Sequence, residues 1–447
     1  MNLGSLTAVF GWMVTRPRAM RALVIWASLA AAGPSAAAPP APAAKAAPAT
    51  VPAAASDRVD TAITAGVKFL LTQQSAVGAI NDSPKHHTAL TALSALALVA
   101  AGHQPNDKTP EGVALRRTIY FLLRADRQSA DGYFGQADQS TMFGHAVVTL
   151  ALTQLLQLDI DRETEQAMRA NAQAAVTLIL RSQGARKDHP TLIGGWRYYP
   201  ASTDTDLPST AWQLLALQSG EKAGFKIPPA TGPAAAGYLK RLFEDGYGLF
   251  DYGKKPIVIY PGGFEISSVR TNRAGGKLIG RTPVVSGGRR CYVCHYSDSK
   301  MTTNYFAPTF RPPETLLAPP MEPNHYSHLA EGLLGLRLTG QARSPEAVQS
   351  AAMLLDMLQA DPQMKFLAQG PWPFHGTFFA ALALNGFNEP HSTAIRIFAE
   401  RNLVVGQAAD GSWTDNFEGR YIGRVYCTSL AVIALAARYK HLPMFEL

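Results

Sequence analysis

From about residue 57 onward the chain alternates two kinds of apolar segment. The first kind has apolar residues at helical spacing with charges between them: Ala65–Gln74 (AGVKFLLTQQ), Leu115–Gln128, Ala172–Gln183, Ala235–Gly246, Ser350–Ala360 and Ala394–Val404. This spacing predicts amphipathic helices with one face in solvent. The second kind is rich in Ala and Leu nearly all round: His87–Gly102 (HTALTALSALALVAAG), His145–Leu158, Thr210–Gly220, His328–Gly340, His375–Gly386 and Cys427–Tyr439. These predict helices buried on most sides. A Gly-x-aromatic or Gly-x-apolar step lies between the two kinds, at Gly78–Ile80, Gly132–Phe134, Gly194–Trp196, Gly248–Phe250, Gly370–Trp372 and Gly411–Trp413. Asp131-Gly132 and Asp410-Gly411 suit a helix stop followed by a tight turn. Six hairpins, amphipathic outside and apolar inside, predict an all-α fold. They close most simply into an α6/α6 toroid, its inner helices around a central cavity with their amino ends at one rim.

The steps recur every 41 to 62 residues except for one interval of 122, which holds a long insertion in the fourth repeat. The insertion, residues 251–324, is rich in Gly and Pro and is predicted to be mostly irregular, emerging at the rim where the inner helices begin. Before the repeats, Arg16, Arg18 and Arg21 precede an apolar run (Ala22–Gly33) and a small-residue stretch. This predicts a secretory signal over residues 1–38, with Met13 or Met20 as alternative starts. Residues 39–56 are almost wholly Ala and Pro and read as a tether. The toroid then occupies 57–447, and the expected location is periplasmic or secreted, near a membrane only if the signal is uncleaved.

Composition adds two points. Apolar content of 47% is ample for a core. The net charge of +8 is concentrated between Lys254 and Arg311, inside the insertion, where ten basic residues face two acids, Glu265 and Asp298. Such a segment suits an acidic partner protein or haem propionates. The charges lack the interleaved aromatics or the helix-turn-helix of a nucleic-acid reader, so no nucleic-acid partner is expected.

The same insertion carries Cys291-Tyr-Val-Cys294-His295, with two of the chain's three cysteines. In an exported protein this spacing is the attachment motif of covalent haem c, both thiols adding to the vinyl groups and His295 ligating the iron. Met321, in APPMEPN, or else His325 or His328, supplies the second axial ligand, unless that position stays open. A zinc site from Cys291, Cys294, His325 and His328 is the alternative, with an H-x2-H tighter than usual. A Cys291–Cys294 disulfide would close a very small ring and add little. Cys427 reads as a buried, inert helix residue.

Gln407–Trp413 (QAADGSW), its variant Gln128–Phe134 (QSADGYF) and Tyr426–Leu435 (YCTSLAVIAL) resemble the repeats of the terpenoid cyclase and protein prenyltransferase superfamily, most nearly its exported squalene-cyclase-like members. The resemblance covers roughly residues 57–250 and 325–447 and implies the α/α-toroid. It does not carry the chemistry across. Against the cyclase D-x-D-D-T-A, the chain has DTDLPSTA (Asp204–Ala211), with Asp206 matched but Pro208 and Ser209 in place of the later acids. Where the prenyltransferases place a zinc-binding histidine, the chain has Gly423, and no GCGEQ thioester is present.

His87, His145, His328 and His375 stand at equivalent rim positions and suit either a shared site or plain polar first turns of buried helices. Asp204 and Asp206 are expected to cap the helix that follows them. Three functions follow: a haem c toroid for electron transfer or redox chemistry at the barrel mouth; a haem-free periplasmic enzyme acting on a carbohydrate or lipid; or a partner-binding toroid with structural zinc. The repeats do not choose among them.

Overall fold

A computed structural model describes residues 57–244, 249–250, 277–286, 289–297, 302–303, 323–361, 372–387, 389–415 and 417–446. The signal (1–38), the tether (39–56), Met321 and most of the insertion lie outside the described residues, as do the side chains of Cys291, Cys294, His295 and His325.

The amphipathic segments form α1 (Arg58–Thr72), α3 (Pro110–Leu122), α5 (Arg162–Gln183), α7 (Thr231–Leu242), α9 (Pro345–Ala360) and α11 (His391–Gly406). The apolar segments form α2 (His87–Ala100), α4 (Thr141–Leu155), α6 (Leu207–Lys222), α8 (Pro323–Leu338), α10 (Pro373–Asn385) and α13 (Arg424–Ala436), with the short α12 (Glu418–Tyr421) just before the last. Each of α2, α4, α6, α8, α10 and α13 packs on the next, and α13 returns to α2, so the inner ring closes. Outside it, α3 packs on α2, α5 on α4, α9 on α8, α11 on α10 and α1 on α13. The chain is an α/α-toroid. Surrounded on both sides, the inner helices bury residues all round: thirteen of the fourteen in α2 are buried.

The Gly steps explain the ring. Gln74, Gln128, Gln183 and Gln407 each donate Nε2–H to the carbonyl of their own step glycine at 2.9–3.4 Å. Each also donates to a carbonyl of the next outer segment: Ala114, Asn171, Thr231 and, across the closure, Ala62. The N–H of the last step residue then bonds a side chain on the inner helix: Ile80 to Thr91, Phe134 to His145, Trp196 to Thr210 and Trp413 to Thr428. Trp196 and Trp413 are buried and satisfy their indole N–H on the carbonyls of Ile179 and Leu403. One side-chain pattern therefore stitches four of the six hairpins to their neighbours.

The two ends of the inner ring differ. At the carboxyl ends, the C-terminal segment lies across several helices: His441 Nδ1 meets the Ala100 carbonyl, Met444 N–H donates to Gln154, and Phe445 and Pro443 carbonyls accept from Asn385 and Lys222. At the amino ends, carboxylates from neighbouring loops cap the helices. Asp138 accepts from Thr88 and Ala89 N–H in α2, Asp82 from Arg424 and Val425 in α13, and Glu418 from Phe374 and His375 in α10. The loop ahead of one inner helix thus caps the inner helix before it in the ring, and acidic groups suit that end of the dipole.

Beside the helices, β1 (Phe243–Glu244) pairs antiparallel with β2 (Leu249–Phe250). Within the insertion the backbone is not all irregular: β3 (Lys277–Ser286) and β4 (Arg289–Ser297) pair as an antiparallel hairpin, and β5 (Thr302–Thr303) adds to β4. Cys291 lies opposite Val284, Cys294 opposite Arg281 and His295 opposite Gly280, with a register shift beside the last.

Candidate active site at the amino rim of the inner ring

The inner helices are Ala/Leu-rich, so a buried charge on one of them needs a partner. Glu331, in the middle of α8, is buried and meets His375 of α10, with Nε2 2.6 Å from Oε1. The other ring nitrogen, Nδ1, lies 3.0 Å from the hydroxyl of Tyr426 on α13. Three inner helices therefore contribute to one hydrogen-bonded chain, Glu331–His375–Tyr426. The second oxygen of Glu331, Oε2, is buried and has no hydrogen-bond partner among the described residues.

Burial raises the Glu331 carboxyl above its ordinary value, and the nearby charge of Asp206 adds to this, against the opposing pull of His375. Burial likewise raises the Tyr426 phenol, with the carboxylates of Glu418, Glu331 and Asp415 acting in the same direction. Aromatic rings wall the imidazole: Phe379 with centroids 4.7 Å apart, Trp212 at 6.0 Å and Trp372 at 6.1 Å, with Trp212 stacked on Phe378 at 5.2 Å. The first turn beneath His375 is held by Glu418, whose two oxygens accept the N–H groups of Phe374 and His375 at 2.7 and 2.9 Å. Burial pushes the Glu418 carboxyl up to about 8.

Among the described residues the four rim histidines form no common cluster. His145 is wholly buried and serves packing: its Nδ1 accepts from Phe134 N–H, where other repeats use threonine, and Nε2 meets the Ala175 carbonyl. Burial lowers its pKa to about 4. His87 stands against Arg127, and His328 is half-buried on α8. Asp206 caps α6 through Ser209 N–H at 2.8 Å and pairs with Arg197, which also reaches Asp204 at 3.2 Å. Glu331 and Glu418 carry no local motif; the one sequence signal for Glu331 is an acid inside the otherwise apolar HLAEGLLGLRL.

Donor atoms of Asp415, Glu418 and Cys427 lie within 4.8 Å of one another. Their oxygens are largely spent on backbone, since Asp415 Oδ1 accepts from Phe417 and Gly419 N–H and both Glu418 oxygens cap α10. Cys427 is wholly buried, which holds its thiol protonated. The cluster is a capping network rather than a metal centre.

The chain matches no family model and no curated protein. Solved structures do show likeness. The type II terpene cyclase MstE from Scytonema is 16% identical over 86% of this chain and 99% of that one, with a TM-score of 0.47. The GH76A alpha-1,6-mannanase from Salegentibacter sp. HEL1_6 is 10% identical over 86% and 100%, with a TM-score of 0.49. A protein from Actinoplanes is 16% identical over 84% and 98%, with a TM-score of 0.47. The architecture assigned to this chain stands on its own helix contacts.

Proposed function

We propose that this is an exported enzyme performing general acid–base chemistry at the amino rim of its inner helix ring, on a largely apolar substrate. The observation that carries this reading is the buried Glu331–His375 pair at 2.6 Å, with Glu331 Oε2 left without a hydrogen-bond partner among the described residues. A buried acid with a raised pKa, held by an oriented imidazole, is what a proton donor near neutral pH requires. Oε2 is the atom that delivers or takes the proton, His375 adjusts its acidity, and Tyr426 fixes the ring. The aromatic wall of Trp212, Trp372 and Phe379 excludes water and favours an apolar substrate or a developing cation. Export rests on the basic, apolar and small-residue run at the amino end.

The test is incubation of the purified protein in D2O with squalene, polyprenols and alkyl glycosides, followed by mass spectrometry for products and for deuterium gain. Glu331→Gln keeps the shape but cannot transfer a proton, and turnover is expected to fall about 10²–10⁴-fold. Equal turnover in wild type and Glu331→Gln, or no turnover of any of these compounds by wild type, would sink the reading.

The motif at Cys291, Cys294 and His295 supports a second reading, a covalent haem c serving electron transfer, with the basic segment docking an acidic redox partner. His295 would ligate the iron, and Met321, His325 or His328 the opposite side. A zinc site from Cys291, Cys294, His325 and His328 is the alternative use of the same motif. Protein exported from cells competent in cytochrome c maturation settles the matter by absorption spectrum and intact mass. A Soret band surviving denaturation, lost in Cys291→Ala/Cys294→Ala, is the result this second reading expects; colourless protein without added haem mass excludes it.

A further inference from the structure

Where the first and last repeats meet, a cleft of about 640 Å3 opens on the rim, between the loop at Asp82–Pro84 and the residues Thr414, Asp415 and Gly419–Arg424. We infer that this cleft is a binding site for a neutral oligosaccharide. The volume falls in the range of small-ligand sites, about 300–1,000 Å3. Its chemistry is mixed in the way a sugar needs, with an aromatic face beside paired donors and acceptors. Tyr421 is 66% exposed although it is a large ring, and Phe417 braces it with centroids 5.0 Å apart. A held, exposed ring offers a flat apolar surface to the C–H face of a pyranose while its hydroxyl stays in water.

Polar groups stand ready around it. Arg420 lines the cleft and is exposed. Asp82 uses Oδ2 on Arg424 and Val425 N–H, and Asp415 uses Oδ1 on Phe417 and Gly419 N–H. The remaining oxygen of each has no hydrogen bond among the described residues and is available to accept from hydroxyls. Charge argues against an ionic ligand. Arg420 and Arg424 are matched in number by Asp82 and Asp415, and Arg424 is further paired with Asp410 at 2.6 Å. Neither an anion nor a cation finds a field of one sign here. The backbone bonds to Asp82 and Asp415 hold these groups in place before a ligand arrives, which lowers the ordering cost of binding. This inference does not depend on the acid–base reading, since no residue of the Glu331–His375–Tyr426 chain lines the cleft.

The test is titration calorimetry of the full chain with cellotetraose, maltotetraose and chitotetraose, with tetragalacturonate and inorganic phosphate as charged probes. At least one neutral tetrasaccharide is expected to bind with a Kd below about 1 mM. Tyr421→Ala should weaken it about tenfold or more and Arg420→Ala several-fold, both with unchanged Tm because these side chains are exposed. No binding by any neutral probe, binding by the charged probes alone, or affinity unaffected by Tyr421→Ala would overturn the assignment.

Discussion

Replacing Glu418 by Gln is expected to flatten the dependence of stability on pH between about pH 4.5 and about pH 8. The carboxyl is buried, and burial raises it from 4.5 to about 8 in the folded protein. The folded state therefore keeps a proton that the unfolded chain releases over this window. Native stability is fullest below the unfolded value, falls as pH rises through the window, and levels off above the folded value. At about 1.4 kcal/mol per pH unit, the loss across the window is on the order of 4 kcal/mol. Glutamine cannot ionise, so the difference between wild type and Glu418→Gln should itself vary with pH by that amount, with the variant gaining relative to wild type as pH rises. Urea midpoints at pH 4, 6 and 8.5 measure it. Parallel profiles would mean that Glu418 ionises as readily in the fold as in the unfolded chain. Glu331 is raised in the same direction by its own burial, so Glu331→Gln should remove a further part of the slope. The exposed carboxylates with lowered values, such as Asp161 and Asp410, work the opposite way at lower pH and are unaffected by either variant.

The second large effect is expected at the ring closure. Gly411 has φ +86°, and a Cβ placed there would lie 2.3 Å from the Ala65 carbonyl oxygen of α1. Gly194 is alike, with φ +103° and 2.1 Å to the Ala234 carbonyl. Both the positive φ and the neighbouring backbone oppose a side chain, and neither main chain moves without disturbing the Gln-mediated bonds that join adjacent hairpins. Gly411→Ala and Gly194→Ala should each cost about 3 kcal/mol or more. Gly224, at φ +91° with nothing within 4 Å of its Cβ position, isolates the conformational part alone, and Gly224→Ala should cost about 1 kcal/mol. Denaturant midpoints decide it. Equal losses at all three glycines would show that close approach between hairpins contributes nothing.

The repeat architecture was legible because its causes are local. An amphipathic helix followed by one that is apolar all round states its two environments in its own composition, and four of the six Gly steps recur with their glutamines, Gln74, Gln128, Gln183 and Gln407, ahead of them. The hairpin inside the insertion is masked in the sequence by a Gly and Pro content that points to loop. Yet Lys277–Ser286 and Arg289–Ser297 flank Gly287-Gly288, a turn dipeptide that favours just such a hairpin.

The site was much less legible. His375 stood in the sequence as one of four equivalent rim histidines, and nothing local separates it from His145. Their partners do: His145 takes the place of a threonine in the stitch between hairpins, while His375 meets a carboxylate and a phenol from two other inner helices. Glu331 and Tyr426 lie 44 and 51 residues from it along the chain, and Glu418 lies 43 away. No spacing rule links residues on separate helices. The cleft at Tyr421 exists only because the last repeat comes back against the first. The sequence by itself determined the helices, their inner and outer places and the repeat that stacks them, since burial and periodicity are properties of each segment. Only the tertiary structure decided which charges meet, because closing the ring sets the distances between side chains from different repeats, and those distances determine which buried acids hold their protons.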